Sequence, residues 1–403
     1  MTHAFHVSAE TPAAADPRDF SIVLGGPLYQ LLRRAHVAGD ALELVRRRVV
    51  VLAVVAWLPL LLLALAGGRA LGGVGVPFLH DVEVHVRLLV ALPLLVAAEL
   101  LVHMRLRPVA GEFLARGLVP EESLERFRDC VRAAFRLRNS ITAELLMLAL
   151  VYGVGVPFLW RNAVALEVPT WYANPTPEGA HLTAAGMWYV GLSVPLFQFL
   201  LLRWYFRIFI WVRFLWHVSR IRLRLSAMHA DQNAGLGFLA GTVYAFTPLL
   251  MAHGALLAGV IANRVFFLGG TLPDARMEIA AVVAYLLVLV FAPLTVFAGQ
   301  VNEAKRRASR EYGRLNQRYV RDFEAKWLPG GMPATQSPLG DTDIQSLADL
   351  ANSLATARAT RTVPITRDAL LKLGAAVLIP IAPLLLTMFP AEELARRLLK
   401  MLF

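Results

Sequence analysis

The sequence predicts an all-α fold, a polytopic transmembrane helical bundle of about seven helices. Of its 403 residues, 57% are hydrophobic and only 17% are charged, whereas soluble domains carry about 25% charged residues. The apolar residues also gather in blocks close to the roughly 20 residues that a helix needs to cross a bilayer. Lipid is therefore the expected surroundings for most of the chain.

The apolar blocks give seven candidate spans, at 49–67, 87–104, 140–159, 185–203, 236–263, 279–299 and 369–389. The seventh block is short and contains Pro380, Pro383 and Pro390. It is either a further crossing or a re-entrant or interfacial segment, followed in the second case by an amphipathic surface helix at the C-terminus.

The polar segments between the blocks alternate in charge. Eight arginines lie in 105–138, six in 203–225, and eleven lysines or arginines in 300–368. The intervening segments each carry at most two arginines and two acids. Because basic residues favour the inner side of a membrane, we expect a cytoplasmic N-terminus and cytoplasmic basic segments.

This orientation divides the chain into three transmembrane hairpins, three cytoplasmic parts, a basic aromatic interfacial segment and a C-terminal membrane segment with its amphipathic tail. The transmembrane hairpins are 49–104, 139–203 and 236–299. The cytoplasmic parts are 1–48, 105–138 and 300–368. The interfacial segment is 204–235, and the C-terminal membrane segment with its tail is 369–403. Helices are predicted at 27–48, on the membrane surface, at 111–138, continuing into the third span, and at 302–327, ended by a Pro/Gly-rich loop over 328–340.

The heptapeptide GVGVPFL occurs twice, at Gly73–Leu79 and Gly153–Leu159. Each copy falls at the predicted outer end of an outward span, and each returning span contains a proline and ends in arginine. The pattern predicts a duplicated parallel hairpin. The alternative is chance repetition in a chain rich in Val, Leu and Gly.

Polar residues inside spans are candidates for an ion conduit because burying them in lipid is costly. The candidates are Glu99, Glu144, His253 and Gln198. Glu99 and Glu144 either face a water-filled vestibule or pair with arginines such as Arg105 or Arg138. His253 and Gln198 can equally form simple helix-to-helix hydrogen bonds. Prolines inside several spans favour an internal wet cavity.

The segment HDVEVH is the densest cluster of ligand-type side chains outside the membrane, and it supplies the metal candidates His80, Asp81, Glu83 and His85. One helix cannot present all four to one ion, and no second cluster supplies the missing ligands. A polar helix start is the better interpretation, and no cofactor is expected.

The stretch HADQNAGLGFLAG opens the fifth span and follows a segment rich in arginine and aromatic residues. Asp231 or Asn233 can cap the helix, and an anion or lipid headgroup could bind there with His229, Arg220, Arg222 and Arg224 nearby. We expect Arg203–Arg224 to form a bent or continuous helix. A capped, glycine-tightened helix entry is the alternative.

These features favour a homo-oligomeric membrane channel or transport protein for small ions. A scaffold or sensor that binds a cytoplasmic protein partner through 302–353 is the first alternative, and a metal-dependent membrane enzyme is the second. The net charge of +11 is assigned to topology and to binding of anionic lipids, not to nucleic acid.

Three stretches, DFSIVLGGPLYQLLRRAH, HADQNAGLGFL and DIQSLADLANS, resemble a family of uncharacterised bacterial multi-pass membrane proteins over nearly the whole chain. The resemblance implies a helical protein of the bacterial inner membrane. It implies no known reaction, substrate or site.

Overall fold

The computed structural model describes residues 20–27, 29–30, 45–157, 169–176, 179–328 and 342–388. The described parts are nearly all helical, with one small antiparallel hairpin. The helices are α1 Val45–Ala66, α2 Val82–Ala115, α3 Glu121–Arg138, α4 Ile141–Gly155, α5 Ala184–Val218, α6 Gly237–Phe267, α7 Leu272–Trp327, α8 Thr342–Ala359 and α9 Arg367–Leu378, and the strands are β1 Ala173–Thr176 and β2 Gly179–Leu182. Most of the predicted surface helix 27–48, the loop after 328 and the C-terminal tail lie outside these residues.

Five helices, α1, α2, α5, α6 and α7, are long and apolar enough to cross a membrane. The count rises to seven if two bent pairs each form one span. These are α3 with α4, bent by 46°, and α9 with the 3₁₀ turn Ala382–Met388, bent by 57°. The chain is thus a helical membrane protein, and the predicted number of about seven is compatible with this count.

Helices α2 and α5 form the centre of the bundle. Helix α1 packs against both, α3 and α4 pack against α5, and α6 lies between α2 and α9. The last residues of α2, the start of α6 and the middle of α7 meet where the Phe113 ring lies 5.1 Å from Phe238 and 6.0 Å from Phe297. We call this the basic end, because Arg48, Arg138 and Arg207 lie toward it.

The segment 20–27 is built into the basic end. Phe20, Ile22 and Val23 are all buried. The Phe20 ring packs 6.0 Å from Phe135 of α3 and 4.5 Å from Phe214 of α5. An apolar stretch that the spans do not include therefore fastens the amphipathic helix α3 to the bundle through buried aromatic contact.

Side chains of neighbouring helices satisfy carbonyls that prolines leave without an N–H partner. Trp188 Nε1 donates to the Val55 carbonyl, freed by Pro59, at 3.3 Å. Tyr152 Oη donates to the carbonyl freed by Pro195, at 3.1 Å. At these two positions the polar backbone is satisfied by protein, so the prolines there do not require a wet cavity.

The two copies of GVGVPFL have different conformations. Gly73–Leu79 lies beyond the end of α1, and its Val76 forms an isolated bridge to Thr170. In the second copy, Gly153–Gly155 belongs to the wide-turned last part of α4, and Phe158 and Leu159 lie outside the described residues. The two copies therefore do not share one local structure, and backbone hydrogen bonds to Pro169 and Trp171 shape the first copy. The duplicated hairpin stays a prediction.

The seventh apolar block runs the length of α6. At the basic end, Tyr244 Oη donates to Asp368 at 3.1 Å. At the opposite end, Ile381 and Leu384 pack with Leu272, which comes after α6 in the chain. Midway, Gly254 allows close approach, since a Cβ there would lie 2.0 Å from the carbonyl oxygen of Val377.

Two predicted helices end differently from expectation. Helix α3 stops at Arg138, and a bend at Asn139 and Ser140 precedes α4. Helix α5 stops at Val218, so the expected helix over Arg203–Arg224 is wrong beyond that residue. Gln300 of α7 explains the second case, since its side chain donates to the carbonyls of residues 219 and 221 and accepts from the N–H of residue 223.

The charged helix after the sixth span is confirmed. Helix α7 continues without interruption through Ala298–Trp327, and α8 packs back along it. Lys305 Nζ donates to the Thr360 carbonyl at 2.8 Å, and Thr360 Oγ1 donates to the Ala227 carbonyl at 2.8 Å. The α7–α8 hairpin is thereby fixed to the basic end.

Candidate functional site

A buried carboxylate, Glu99, lies near the middle of α2, on the side toward the basic end. Arg48 of α1 donates to its Oε2, and Arg207 Nη2 of α5 lies 2.8 Å from its Oε1. The three residues are only 3–5% exposed. Since buried charges need partners, one carboxylate joins three candidate membrane helices.

The second carboxylate, Glu144, lies in the first turn of α4. Arg203 Nε is 3.5 Å from its Oε1, and Arg203 Nη1 is 3.9 Å from Glu99 Oε1. Arg203 also donates to the Gly25 carbonyl at 3.4 Å. All three contacts of this buried guanidinium are long, so Arg203 is held more loosely than Arg207.

A small opening borders these groups. Its polar lining consists of Gly25, Arg138, Glu144, Arg203 and Arg207, and its apolar walls of Ile22, Met147, Phe206 and Ile210. Its empty space is about 260 Å³, counted out to open solvent. We call it the arginine opening.

The segment 20–27 positions one side of the arginine opening. Arg138 Nη1 donates to the Ser21 carbonyl at 2.7 Å, and Ser21 Oγ lies 3.0 Å from His103 Nδ1. Gly25 and Gly26 have φ of 133° and 92°, which favours glycine. A Cβ on Gly25 would lie 2.6 Å from Arg138 Nε. The Arg138 guanidinium can therefore pack against this turn only because residue 25 has no side chain.

The structure places both predicted carboxylates against arginine, the alternative that the sequence left open. The partners are Arg48, Arg203 and Arg207, not the expected Arg105, while Arg138 borders the same opening. Sequence reasoning missed all three partners. For Arg203 and Arg207, the spacing of four residues within an apolar run, which puts both on one helix face, was the available signal.

The other two conduit candidates lie in helix contacts. His253 Nε2 is 2.7 Å from Tyr205 Oη, and its Nδ1 is 2.8 Å from the Leu249 carbonyl. Gln198 Nε2 donates to the Gly155 carbonyl at 3.4 Å. These contacts do not bring either residue to Glu99 or Glu144.

At the opposite end, Asp81 accepts hydrogen bonds from three elements. Trp171 Nε1 donates to Oδ2 at 2.9 Å, and Asn263 Nδ2 of α6 donates to Oδ1 at 2.9 Å. The Val84 N–H also donates to Oδ1, at 3.3 Å. Asp81 therefore caps α2 and fastens Trp171 and α6 to it.

The remaining residues of HDVEVH have separate partners. Glu83 pairs with Arg87, His85 Nδ1 accepts from Trp57 Nε1 at 2.9 Å, and His80 is exposed. Among the described residues, no group of three or more His, Cys, Asp or Glu side chains is placed to hold a metal ion. The structure therefore gives Asp81, Glu83 and His85 separate partners at the opposite end and leaves His80 exposed.

The stretch HADQNAGLG forms a tight loop around the carboxylate of Asp231. Oδ1 accepts from the N–H groups of Asn233 and Gly235 at 2.9 and 3.1 Å, and Oδ2 accepts from Gly237 at 2.8 Å. His229 Nδ1 lies 3.1 Å from Oδ1. Asp231 thus reaches the first N–H of α6 although Leu236, not Asp231 or Asn233, is the N-cap residue.

The carboxylate of Asp231 occupies N–H donors that an anion at the start of α6 would use. Burial acts to raise the pKa of Asp231, but the three backbone N–H groups and the nearby imidazole hold that pKa below its ordinary value. The ionised carboxylate is therefore the form that this loop stabilises.

Arg220, Arg222 and Arg224 lie on one face of the extended segment after α5. All three are exposed, whereas Ile221 and Leu225 are buried, as period-two alternation requires. The Arg220 guanidinium lies 4.3 Å from the centre of the Trp216 ring. We call this row the arginine ridge.

Comparison with known protein families, with curated proteins and with solved structures gave no match. The resemblance to a family of bacterial membrane proteins therefore stays a prediction.

Replacing Asp81 with Asn should destabilise the protein by about 1–3 kcal/mol. The NH₂ group of the new side chain would replace one carboxylate oxygen and would face at least one of the three N–H donors that Asp81 now accepts from. Thermal unfolding in detergent measures the effect. Glu278→Gln, which breaks the exposed pair with Arg264, is the matched control and should cost about 0–1 kcal/mol. Equal losses in the two variants would contradict the role of Asp81.

Replacing Asp231 with Asn should lower stability by about 1–3 kcal/mol near neutral pH, since a charged acceptor is lost. Because the folded-state pKa of Asp231 is lowered, its stabilisation is complete above the pKa of the unfolded chain and disappears as pH falls through the folded-state value. The gap in melting temperature between wild type and variant should shrink from pH 6 to about pH 3. Exposed Asp322→Asn is the control, and a gap that does not depend on pH would contradict the prediction.

Proposed function

We propose that the protein is a membrane channel or transport protein for small ions, with the charged cluster at the basic end as its control point. The observation that supports this is the burial of Glu99, Glu144, Arg48, Arg203 and Arg207 within or at the ends of the candidate spans. Ionisable groups at such positions are costly and mark ion pathways in many membrane proteins.

The loosest contact in the cluster is the one expected to open. Arg203 and Glu144 are 3.5 Å apart, whereas Glu99 is engaged by Arg48 and by Arg207 at 2.8 Å. We assign Glu99 to holding the helices together. Glu144, which borders the arginine opening, is the residue whose rearrangement would admit an ion.

The same proposal places the basic end in the cytoplasm of a bacterial cell, at the inner membrane. The contacts described above bring the starts of α1 and α4 and the ends of α2 and α5 to one end of the bundle, together with their arginines. A single basic end is what the positive-inside rule requires. The homo-oligomeric state stays a prediction.

The arginine ridge supports anionic lipid as a partner. Three exposed guanidiniums come after α5, next to the half-exposed Trp216 ring, and aromatic rings favour headgroup depth. Each basic residue near an anionic surface contributes about 1 kcal/mol.

A scaffold that binds a cytoplasmic protein partner is the second candidate, and the α7–α8 hairpin favours it. Ala298–Trp327 alone has 30 residues, so it extends about 45 Å. Leu315, Leu328 and Ile344 are 45–50% exposed there. We do not propose the metal-dependent enzyme, since the described residues assemble no metal cluster.

Ion flux into liposomes that contain the purified protein tests the first proposal. We expect flux along at least one gradient among Na⁺, K⁺, H⁺ and Cl⁻, and a severalfold change on Glu144→Gln, because the variant removes the charge that holds Arg203. Glu112→Gln, on the exposed part of α2 and paired with Arg116, is the control. Absence of flux along all four gradients from folded protein would reject the proposal and favour the scaffold.

Replacing Arg220, Arg222 and Arg224 together with Gln should weaken the binding of anionic lipid by up to about 3 kcal/mol. Less anionic lipid should then be retained through purification. Quantification of lipid per protein by mass spectrometry measures this. The matched control removes three exposed arginines from the α7–α8 hairpin, Arg310, Arg314 and Arg318. Equal retention in wild type and in the ridge variant would show that the ridge does not bind lipid.

A further inference from the structure

In the described part of the chain, the charges around the arginine opening do not balance. Three buried guanidiniums, Arg48, Arg203 and Arg207, and the half-buried Arg138 lie with two carboxylates, Glu99 and Glu144. Among the described residues, the salt bridges of these arginines involve only those two carboxylates. An unbalanced buried cation is costly, and a bound anion would offset that cost.

The donors of Arg203 are poorly used. Its contacts to Glu99, Glu144 and the Gly25 carbonyl are 3.9, 3.5 and 3.4 Å, while charged N–H···O pairs are normally about 2.7–2.9 Å. Arg203 is only 6% exposed, so bulk water cannot replace the missing acceptors. Its surroundings therefore suit a further acceptor.

The neighbouring guanidiniums also retain free capacity. Arg207 makes one carboxylate contact, through Nη2. Arg138 uses Nη1 on the Ser21 carbonyl and Nε on Asn139 Oδ1 at 3.1 Å. Since a guanidinium has five N–H donors, each of these arginines can donate again.

The size of the arginine opening selects among anions. The space inside the opening is about that of one water molecule, and its other walls are the side chains of Ile22, Met147, Phe206 and Ile210. A monatomic halide is larger than water but displaces these walls less than a tetrahedral oxyanion does. The apolar walls also favour an anion that gives up water readily.

We propose that the arginine opening is a halide site, with chloride as its ligand and Arg138, Arg203 and Arg207 as its donors. This inference extends the proposed ion transport, because it specifies that the transported ion is an anion. Binding itself does not depend on the proposed function, and only the passage of the bound ion across the membrane rests on it. Glu144 also lines the opening, 3.5 Å from Arg203 Nε, so the three guanidiniums must outweigh its repulsion of the anion.

Melting temperature in detergent tests the site on the full chain. Sodium chloride replaces sodium gluconate at constant ionic strength, so that screening does not change. We expect a saturable rise with chloride and with bromide, because a ligand that binds only the folded state stabilises it by mass action. Sulfate and phosphate should give a much smaller rise. No difference between chloride and gluconate, or a larger rise with sulfate or phosphate than with chloride, would overturn the proposal.

Variants locate the site. Arg203→Gln should remove most of the chloride-dependent rise, and Arg138→Gln, which leaves the Glu99 contacts in place, should weaken it severalfold. Arg213→Gln is the control, since Arg213 is on the same helix and, within the part of the chain that the structure describes, donates only to His217. If Arg203→Gln does not fold, Arg138→Gln decides. A chloride response retained in full by Arg138→Gln would overturn the assignment, and binding without flux would reject transport while keeping the site.

Discussion

The pairing of Glu99 with Arg48 and Arg207 is the interaction on which the arrangement of the helices depends. A carboxylate in this position cannot stay unpaired, and each of its two close partners comes from a different helix. These contacts therefore fix the positions of α1, α2 and α5 along their axes relative to one another, at the level of Glu99. Apolar packing alone, in a chain so rich in Leu and Val, would allow several alternative registers of similar energy.

The two ends of the bundle satisfy their buried carboxylates in different ways. Asp81 accepts from an indole, an amide and a backbone N–H, so no cation is required beside it. Glu99 and Glu144 are instead matched by an excess of guanidinium groups. At one end neutral donors hold the carboxylate. At the other, the described residues include more guanidinium than carboxylate groups, and this asymmetry favours an anion there.

The helical bundle and the long charged helix α7 could be predicted from the sequence, because block length and composition are local properties. The site could be predicted only in part. Glu99 and Glu144 were identifiable as intramembrane carboxylates, but their partners depend on which helices pack together, and that is not local. The burial of Phe20 and the different conformations of the two GVGVPFL copies could not be predicted for the same reason, since contacts distant in sequence determine both. The end of α5 at Val218 depends on Gln300, which is more than 80 residues away.

The segment 20–27 connects the N-terminal part of the chain to the charged cluster. Arg138 is held by the Ser21 carbonyl, and the Gly26 N–H donates to Asn139 in the bend between α3 and α4. Moving this segment would therefore move Arg138 and alter the start of α4, where Glu144 lies. Because Gly25 also supplies its carbonyl to Arg203, the same turn contacts two of the three guanidiniums at the arginine opening. The shape of the arginine opening therefore depends on the position of segment 20–27, through the hydrogen bonds that the segment makes to Arg138 and Arg203.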